Sequence, residues 1–337
     1  MTQAATRPPV RRRGGLGLAA ALAVSVLALG AACAASILLG SRAITAGGAL
    51  TPTELTVLLD MRVPRTVLGL LVGAALAVSG ALLQGVARNP LADPGVLGIN
   101  SGAALAVVLA VTVAGSGAVG AAVWFAFLGA GLATVTVYGI ASFGREGATP
   151  TKLALAGVVV TAVASSLTSA LVLMHVDALN ELRFWQVGAL AGRYWPVIGQ
   201  LWPFLAAGLA VAMFAARPLN ALALGDDLAR SLGTRVRMTR GVLFAVVAVL
   251  CGAATAACGP IAFVGLMVPH LARLATGPDY RWILPFSLVL GPTLLLACDV
   301  LGRVVVAPAE VQVGVIVGIV GAPVFVALVR MRRSVEL

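Results

Sequence analysis

Charge is scarce in this sequence. Only 10% of its 337 residues are Asp, Glu, Lys or Arg, against about 25% in ordinary soluble domains, so a soluble globular chain is excluded. Lysine occurs once, as Lys152 after Thr151. The Gly-Lys-Ser/Thr ending of a Walker A loop is therefore missing, and the chain does not hydrolyse ATP by that route. There are two histidines, His175 and His270, too far apart for HExxH or another zinc set, and no metal site is expected. The four cysteines (33, 251, 258 and 298) lie inside apolar runs without paired ligand spacing and read as small buried hydrophobes. No apolar run holds a pair of carboxylates, no histidine has a nucleophile at helical spacing, and there is no GxSxG. Enzymatic chemistry and a resident cofactor are not expected.

Apolar residues, by contrast, make up 60% of the chain, in recurring runs of roughly 20, the length that crosses a bilayer core. The runs do not alternate as barrel strands would. The expected fold is an all-α polytopic membrane protein of about ten transmembrane helices. The spans fall near 16–40, 64–86, 96–114, 118–141, 153–174, 196–216, 241–258, 261–275, 283–301 and 313–329. Residues 1–15 form a basic tail before the first span. That span resembles a signal peptide but is longer than the 7–15-residue core of one, and it reads as uncleaved. The remaining 16–337 read as a single transmembrane domain. The seventh and eighth spans are one run broken at Gly259-Pro260, and two crossings there keep the C-terminal arginines on the same side as the N-terminal ones. With that count 17 of the 23 basic residues face the cytoplasm, as do both termini, and six (Arg42, Arg62, Arg65, Arg183, Arg193 and Arg303) face outward, the asymmetry of the positive-inside rule. The net charge of +11 then reflects orientation in the lipid bilayer and points to no nucleic-acid partner.

Small residues at four-residue spacing (Gly69/Gly73, Gly98/Gly102, Gly188/Gly192, Gly314/Gly318) predict close helix contacts. Polar residues inside spans (Ser79, Gln84, Thr134, Thr136, Thr161, Ser165, Ser166, Thr168, Ser169 and Thr255) either line a path or bond to neighbouring helices. Charges cluster near span ends; the nearest exception is Asp299, close to the outer end of the ninth span, explained by capping or pairing with Arg303 as well as by proton transfer. Helix breaks concentrate at Gln84, Asn89, Pro90 and Pro94, and again at Gly259, Pro260 and Pro269, where freed backbone groups must find partners inside the protein.

The longest polar interruption is the loop 217–240. Pro218 suits a helix start, Gly225 a stop, Asp226 or Asp227 a second N-cap and Gly233 a second stop. Leu224, Leu228 and Leu232 follow at i, i+4 and i+8, an apolar stripe that the loop cannot bury by itself. Two short helices joined at Gly225 are predicted. Their stripe lies either against the chain's own bundle and the membrane or against another protein.

Several ordered motifs carry a resemblance. RVPRT (62–66), GAALAVSGALLQGVARNPLADPGVLGINSGA (73–103), LNALALGDDLARSLG (219–233), GPIAFVGLMVPHLAR (259–273), Asp299 with Arg303, EVQVG (310–314) and GAPVF (321–325) resemble the FecCD-type permeases of ABC importers for iron-siderophore complexes and cobalamin. Gln312 stands where that family usually has proline. The resemblance implies a non-catalytic permease working with a second permease subunit, two cytoplasmic ATP-binding subunits that alone bind ATP, and an extracytoplasmic substrate-binding protein. It implies that Leu219, Asn220, Ala223, Leu224, Gly225, Asp226, Asp227, Leu228, Ala229, Arg230, Leu232 and Gly233 form the ATPase-coupling helices, with Asp226, Asp227 and Arg230 setting register at the rim. It also implies that Arg62 and Arg303 dock the binding protein, the alternative being anchors at the headgroups. The expected cargo is a ferric siderophore, with cobalamin or haem next, and an ion-driven secondary transporter is the alternative of another class.

Overall fold

A computed structural model describes residues 15–40, 51–114, 119–143, 149–193 and 195–333. The basic tail up to residue 14, Arg42 and Arg145 lie outside these. Among the described residues the chain is helical throughout, with no strand. The helices are α1 (Gly15–Leu38), α2 (Pro52–Thr56), α3 (Val63–Ala87), α4 (Ile99–Ala114), α5 (Val119–Ser142), α6 (Pro150–Met174), α7 (Val176–Gln186) and α8 (Trp195–Phe214). They continue as α9 (Ala216–Ala223), α10 (Asp226–Ser231), α11 (Val236–Cys258), α12 (Val264–Thr276), α13 (Tyr280–Val304) and α14 (Val313–Arg333). Among the described residues seven helices are long and apolar enough to cross a membrane, and the shorter apolar stretches Ile99–Val113 and Val313–Ala327 accompany them.

The layout follows from which helices can bury all their faces. α3 is apolar all round and rich in Ala and Gly, and 83% of its membrane-length window is buried. It packs against α13, α11, α12 and α8. α1 is equally apolar but only 6% buried in its window, which places it at the periphery of the bundle. Close approach is paid for with small side chains. A Cβ on Gly73 would sit 2.6 Å from the Pro292 Cα, and one on Gly80 would overlap the Gly265 carbonyl, so α13 and α12 meet α3 backbone to backbone. Gly102 of α4 meets Gly129 of α5 in the same way, whereas Gly192 and Gly318 have nothing within 4 Å.

Three expectations change. The span expected at 261–275 is shorter: α12 has 13 residues, about 20 Å of helix against a hydrocarbon core of about 30 Å. Gly259 at φ 77° and Phe263 at φ 66° keep 259–263 out of the helix. The segment after α6, read as an outer loop, contains α7, whose Ala178, Leu182 and Trp185 bury one face at i, i+4 and i+7. The second span begins earlier than residue 64. Thr51 and Glu54 form a capping box at α2, and a π-helical segment, Val57–Arg62, runs directly into α3.

Candidate functional site

Three clusters of polar groups stand out against the apolar bundle. The first is the loop expected to couple. It folds as two short helices meeting at Leu224 and Gly225, with Gly225 at φ 107°. Gly233 at φ 80° closes α10, with Thr234 N–H donating to the Ala229 carbonyl and Gly233 N–H to Arg230, the paired bonds of a Schellman stop. Neither aspartate caps α10. Gly225 holds the cap position without a side-chain bond, and Asp226 turns inward to pair with Arg88 and, at 2.8 Å, with Arg240. Asp226, expected at the rim, is held toward the bundle by two arginines. Arg88 closes α3 in the left-handed region. Burial and then the like charge of Arg240 lower its pKa.

The other ties of this loop are equally specific. Asn220 donates to the Asp279 carboxylate at 2.6 Å and accepts from Tyr280 N–H at 3.0 Å, which joins α9 to the start of α13. Leu219, Leu222 and Ala229 are fully buried, and a Cβ on Gly85 would lie 2.7 Å from Leu219. The loop is thus fastened to α3, α11 and α13. What it leaves outside is the stripe: Leu224, Leu228 and Leu232 are 59%, 56% and 65% exposed. Ala223, Asp227, Arg230 and Gly233 are exposed as well, Asp227 and Arg230 bridging each other at 2.8 Å.

The second cluster is at the helix breaks. Pro269 has no N–H, so the Gly265 carbonyl loses its helical donor. The Gln84 amide reaches across from α3 and donates to Gly265 and Leu266 at 3.2 and 3.3 Å, while its oxygen accepts from Arg273 at 2.6 Å. Asn89 begins a turn by accepting from Leu91 N–H across Pro90. Asp93 accepts from Gly95 N–H, and Pro94 starts a 3₁₀ turn, Pro94–Leu97. Gly259 is needed because a side chain there would overlap the Trp185 carbonyl. Pro260 lies against Gly188, and Ala189 N–H donates to Cys258. The two groups of breaks therefore meet neighbours on α3, α7 and α12, and each freed carbonyl named here has a partner.

Most in-span polar side chains turn out to be satisfied locally. Ser79, Thr134, Thr136 and Thr168 bond to their own helix, Thr255 bonds to Asn100 and Ser101 to Thr161. Ser165, Ser166 and Ser169 of α6 differ. They are exposed, on a helix whose window is 17% buried. Nearby, Asn100, Ser101, Ala104, Ser165, Thr168, Trp185, Gln186 and Pro260 line a cavity of about 350 Å³ with a mixed polar and apolar wall, between α4, α6 and α7.

The third cluster is ionic. Arg303 is 2% exposed, and its guanidinium donates to the Ser36 and Leu39 carbonyls at 2.9 and 3.0 Å and to the Ser36 hydroxyl at 3.0 Å. It also pairs with Asp299 at 3.0 Å. Arg62, 6% exposed, donates to the Ile37 and Leu38 carbonyls at 2.9 and 2.8 Å. Both arginines thus close the C-terminal end of α1, where orphan carbonyls and the negative end of the helix dipole gather. Both were expected to dock the binding protein, with anchoring of helix ends as the alternative; here both are buried at the end of α1. The residue that sequence reasoning passed over is Arg65, one turn after Arg62 in RVPRT. It bridges the buried Asp299 at 2.9 Å and the more accessible Glu310 at 2.8 Å. Asp299 is a pairing group here, held by two arginines.

Comparison with known proteins supplies the family. The FecCD transport family matches residues 18–331. The ferric enterobactin transport system permease protein FepD of Escherichia coli is 43% identical over 95% of this chain and 98% of its own length. The probable siderophore transport system permease protein YfiZ of Bacillus subtilis is 42% identical, covering 82% of this chain and 83% of that one. A solved metal-chelate type ABC transporter in an inward-facing conformation superposes with a TM-score of 0.84 at 27% identity, over 93% of this chain and 99% of that one. Ordered motifs, apolar helices and near full-length matches agree: the chain belongs to the FecCD transport family, as a multi-pass membrane permease subunit of an ABC transporter.

Proposed function

We propose that this subunit carries ferric siderophores inward across the cytoplasmic membrane. Two ATP-binding subunits drive it from the cytoplasm by seating on Leu219–Gly233. An extracytoplasmic binding protein supplies the cargo, and a second permease subunit completes the pathway. The observation that carries the reading is the leucine stripe. Three large apolar side chains stand in the open on two short helices whose other faces are fastened to α3, α11 and α13. A soluble loop would not retain such a stripe without a partner. A push on it reaches α3 through Arg88 and Leu219, and α3 is the helix about which the bundle is packed.

In this reading the coupling loop and both termini are cytoplasmic, and the Arg62–Arg65–Arg303 cluster faces the binding protein. Arg65, its side chain 12% exposed, is the least buried arginine of the cluster, while Arg62 and Arg303 act beneath it by holding the end of α1. The three open serines of α6 and the cavity beside α7 supply the wetted wall of the path. The subunit binds no ATP and needs no cofactor; it offers different contacts in its two states. Similarity to a cobalamin import permease of Halobacterium salinarum and to a hemin transport permease of Yersinia pestis, 42% and 38% identical, supports cobalamin or haem as the second cargo reading. A secondary transporter is disfavoured because Asp299, the candidate coupling acid, is held by Arg65 and Arg303. The test is coexpression with the cognate ATPase. The two copurify, and Leu228→Glu with Leu232→Glu, both on the exposed stripe, separates them. Uptake that persists in cells lacking every candidate ATPase overturns the proposal.

A further inference from the structure

Glu310 is the only carboxylate in the outer ionic cluster with appreciable exposure among the described residues. Its side chain is 33% exposed, whereas that of Asp299 is fully buried. Asp299 takes the Nε and Nη2 edge of Arg65 at 3.1 and 2.9 Å, and Glu310 takes Nη1 at 2.8 Å. One guanidinium thus has a buried, permanent partner on one edge and a partly exposed one on the other. The second edge is where a carboxylate from another protein would compete.

Glu310 also sits on a segment with mechanical connections. Residues 305–312 leave α13 and return to it, Val311 N–H donating to the Gly302 carbonyl at 2.9 Å. Three residues further on, Gly314 N–H donates to the Gly188 carbonyl at 3.0 Å, in the turn after α7. A side chain on Gly314 would overlap the Val187 carbonyl, so α14 begins in backbone contact with that turn. Ala189 of the same turn donates to Cys258 at the end of α11. The chain from Glu310 to Gly314 therefore joins the outer arginine cluster to the junction of α7, α11 and α14, beside the cavity.

We propose that Glu310 is an internal latch. In the unengaged permease it occupies the Arg65 edge that an acidic side chain of the binding protein takes on docking, and the exchange frees 305–312 to move α14 against the α7 turn. This rests on the reading above that the arginine cluster faces the binding protein. No bond is made or broken; one carboxylate replaces another.

The experiment uses the assembled permease–ATPase complex in lipid nanodiscs and the purified cognate binding protein, with the binding curve and amide exchange of 305–312 as readouts. Glu310→Gln removes the internal competitor. It is expected to tighten binding roughly two- to fivefold, the worth of a partly exposed ion pair, and to speed exchange at Val311. If Glu310→Gln does not assemble, Glu310→Asp, which keeps the charge but shortens the reach, must shift the curve the same way by a smaller factor. Unchanged or weakened binding in a complex of normal melting temperature overturns the latch. Arg65→Gln separates the two ideas. If it leaves binding intact, the docking reading fails; if it weakens binding while Glu310→Gln does nothing, only the latch fails.

Discussion

Arg303→Ala distinguishes a cap from a docking group, and its cost follows from the geometry. The substitution removes three hydrogen bonds to the end of α1, at 2.9, 3.0 and 3.0 Å, and the 3.0 Å pairing with Asp299. Both partners of that pair are desolvated, at 2% and 0% side-chain exposure. Breaking a buried pair costs about 3–5 kcal/mol. Asp299 keeps Arg65, which argues for the low end. The Ser36 and Leu39 carbonyls lose a charged donor, which is worth about 1.5–3 kcal/mol per bond before overlap between the contributions is counted. A loss of about 3 kcal/mol is expected, a fall of roughly 6–12 °C in melting temperature at about 2–4 °C per kcal/mol. The assay is thermal denaturation of the purified permease without its binding protein. Arg303→Lys keeps the charge but not the planar fork and should fall between. An unchanged melting temperature together with weakened binding-protein capture would refute the capping account and restore Arg303 as a docking side chain.

The other predictions concern the remaining clusters. Leu228→Glu places a charge on a stripe that is 56% exposed; the isolated permease should melt within about 0.5 kcal/mol of the parent while ATPase copurification is lost. Gln84→Leu strips the donor from Gly265 and Leu266 and the acceptor from Arg273; a loss of about 2–4 kcal/mol is expected in the same melting assay. Gly80→Ala should destabilise by more than 2 kcal/mol because its Cβ would overlap the Gly265 carbonyl, whereas Gly131→Ala, with nothing within 4 Å, should be neutral or gain up to about 1 kcal/mol of helix propensity. A reporter fused after Leu337 should read as cytoplasmic; an external signal would overturn the proposed orientation.

Legibility tracked the range of the interaction involved. The two helices around Gly225, the stop at Gly233 and the break at Gly259-Pro260 were readable because glycine and proline act on their own backbone. The inward turn of Asp226 was not. A carboxylate in the first turn of a short helix is an ordinary cap signal, and nothing local announces that Arg88 and Arg240 converge on it from elsewhere. The α7 helix left a faint trace in Ala178, Leu182 and Trp185, masked by the polar residues between them.

Composition alone determined that this is a polytopic helical membrane chain without a Walker A loop, because a chain with so few charges and such long apolar runs can satisfy its backbone in lipid only as helices. Motif order determined the family. Tertiary structure decided what each polar group does. It turned Arg62 and Arg303 into caps for α1, brought Arg65 forward with Glu310, made Gln84 the donor that Pro269 removes, and left the three leucines without a partner. Those outcomes depend on which helix ends meet, across 25 residues for Arg62, 181 for Gln84 and 267 for Arg303, and side-chain type alone carries no information about such contacts.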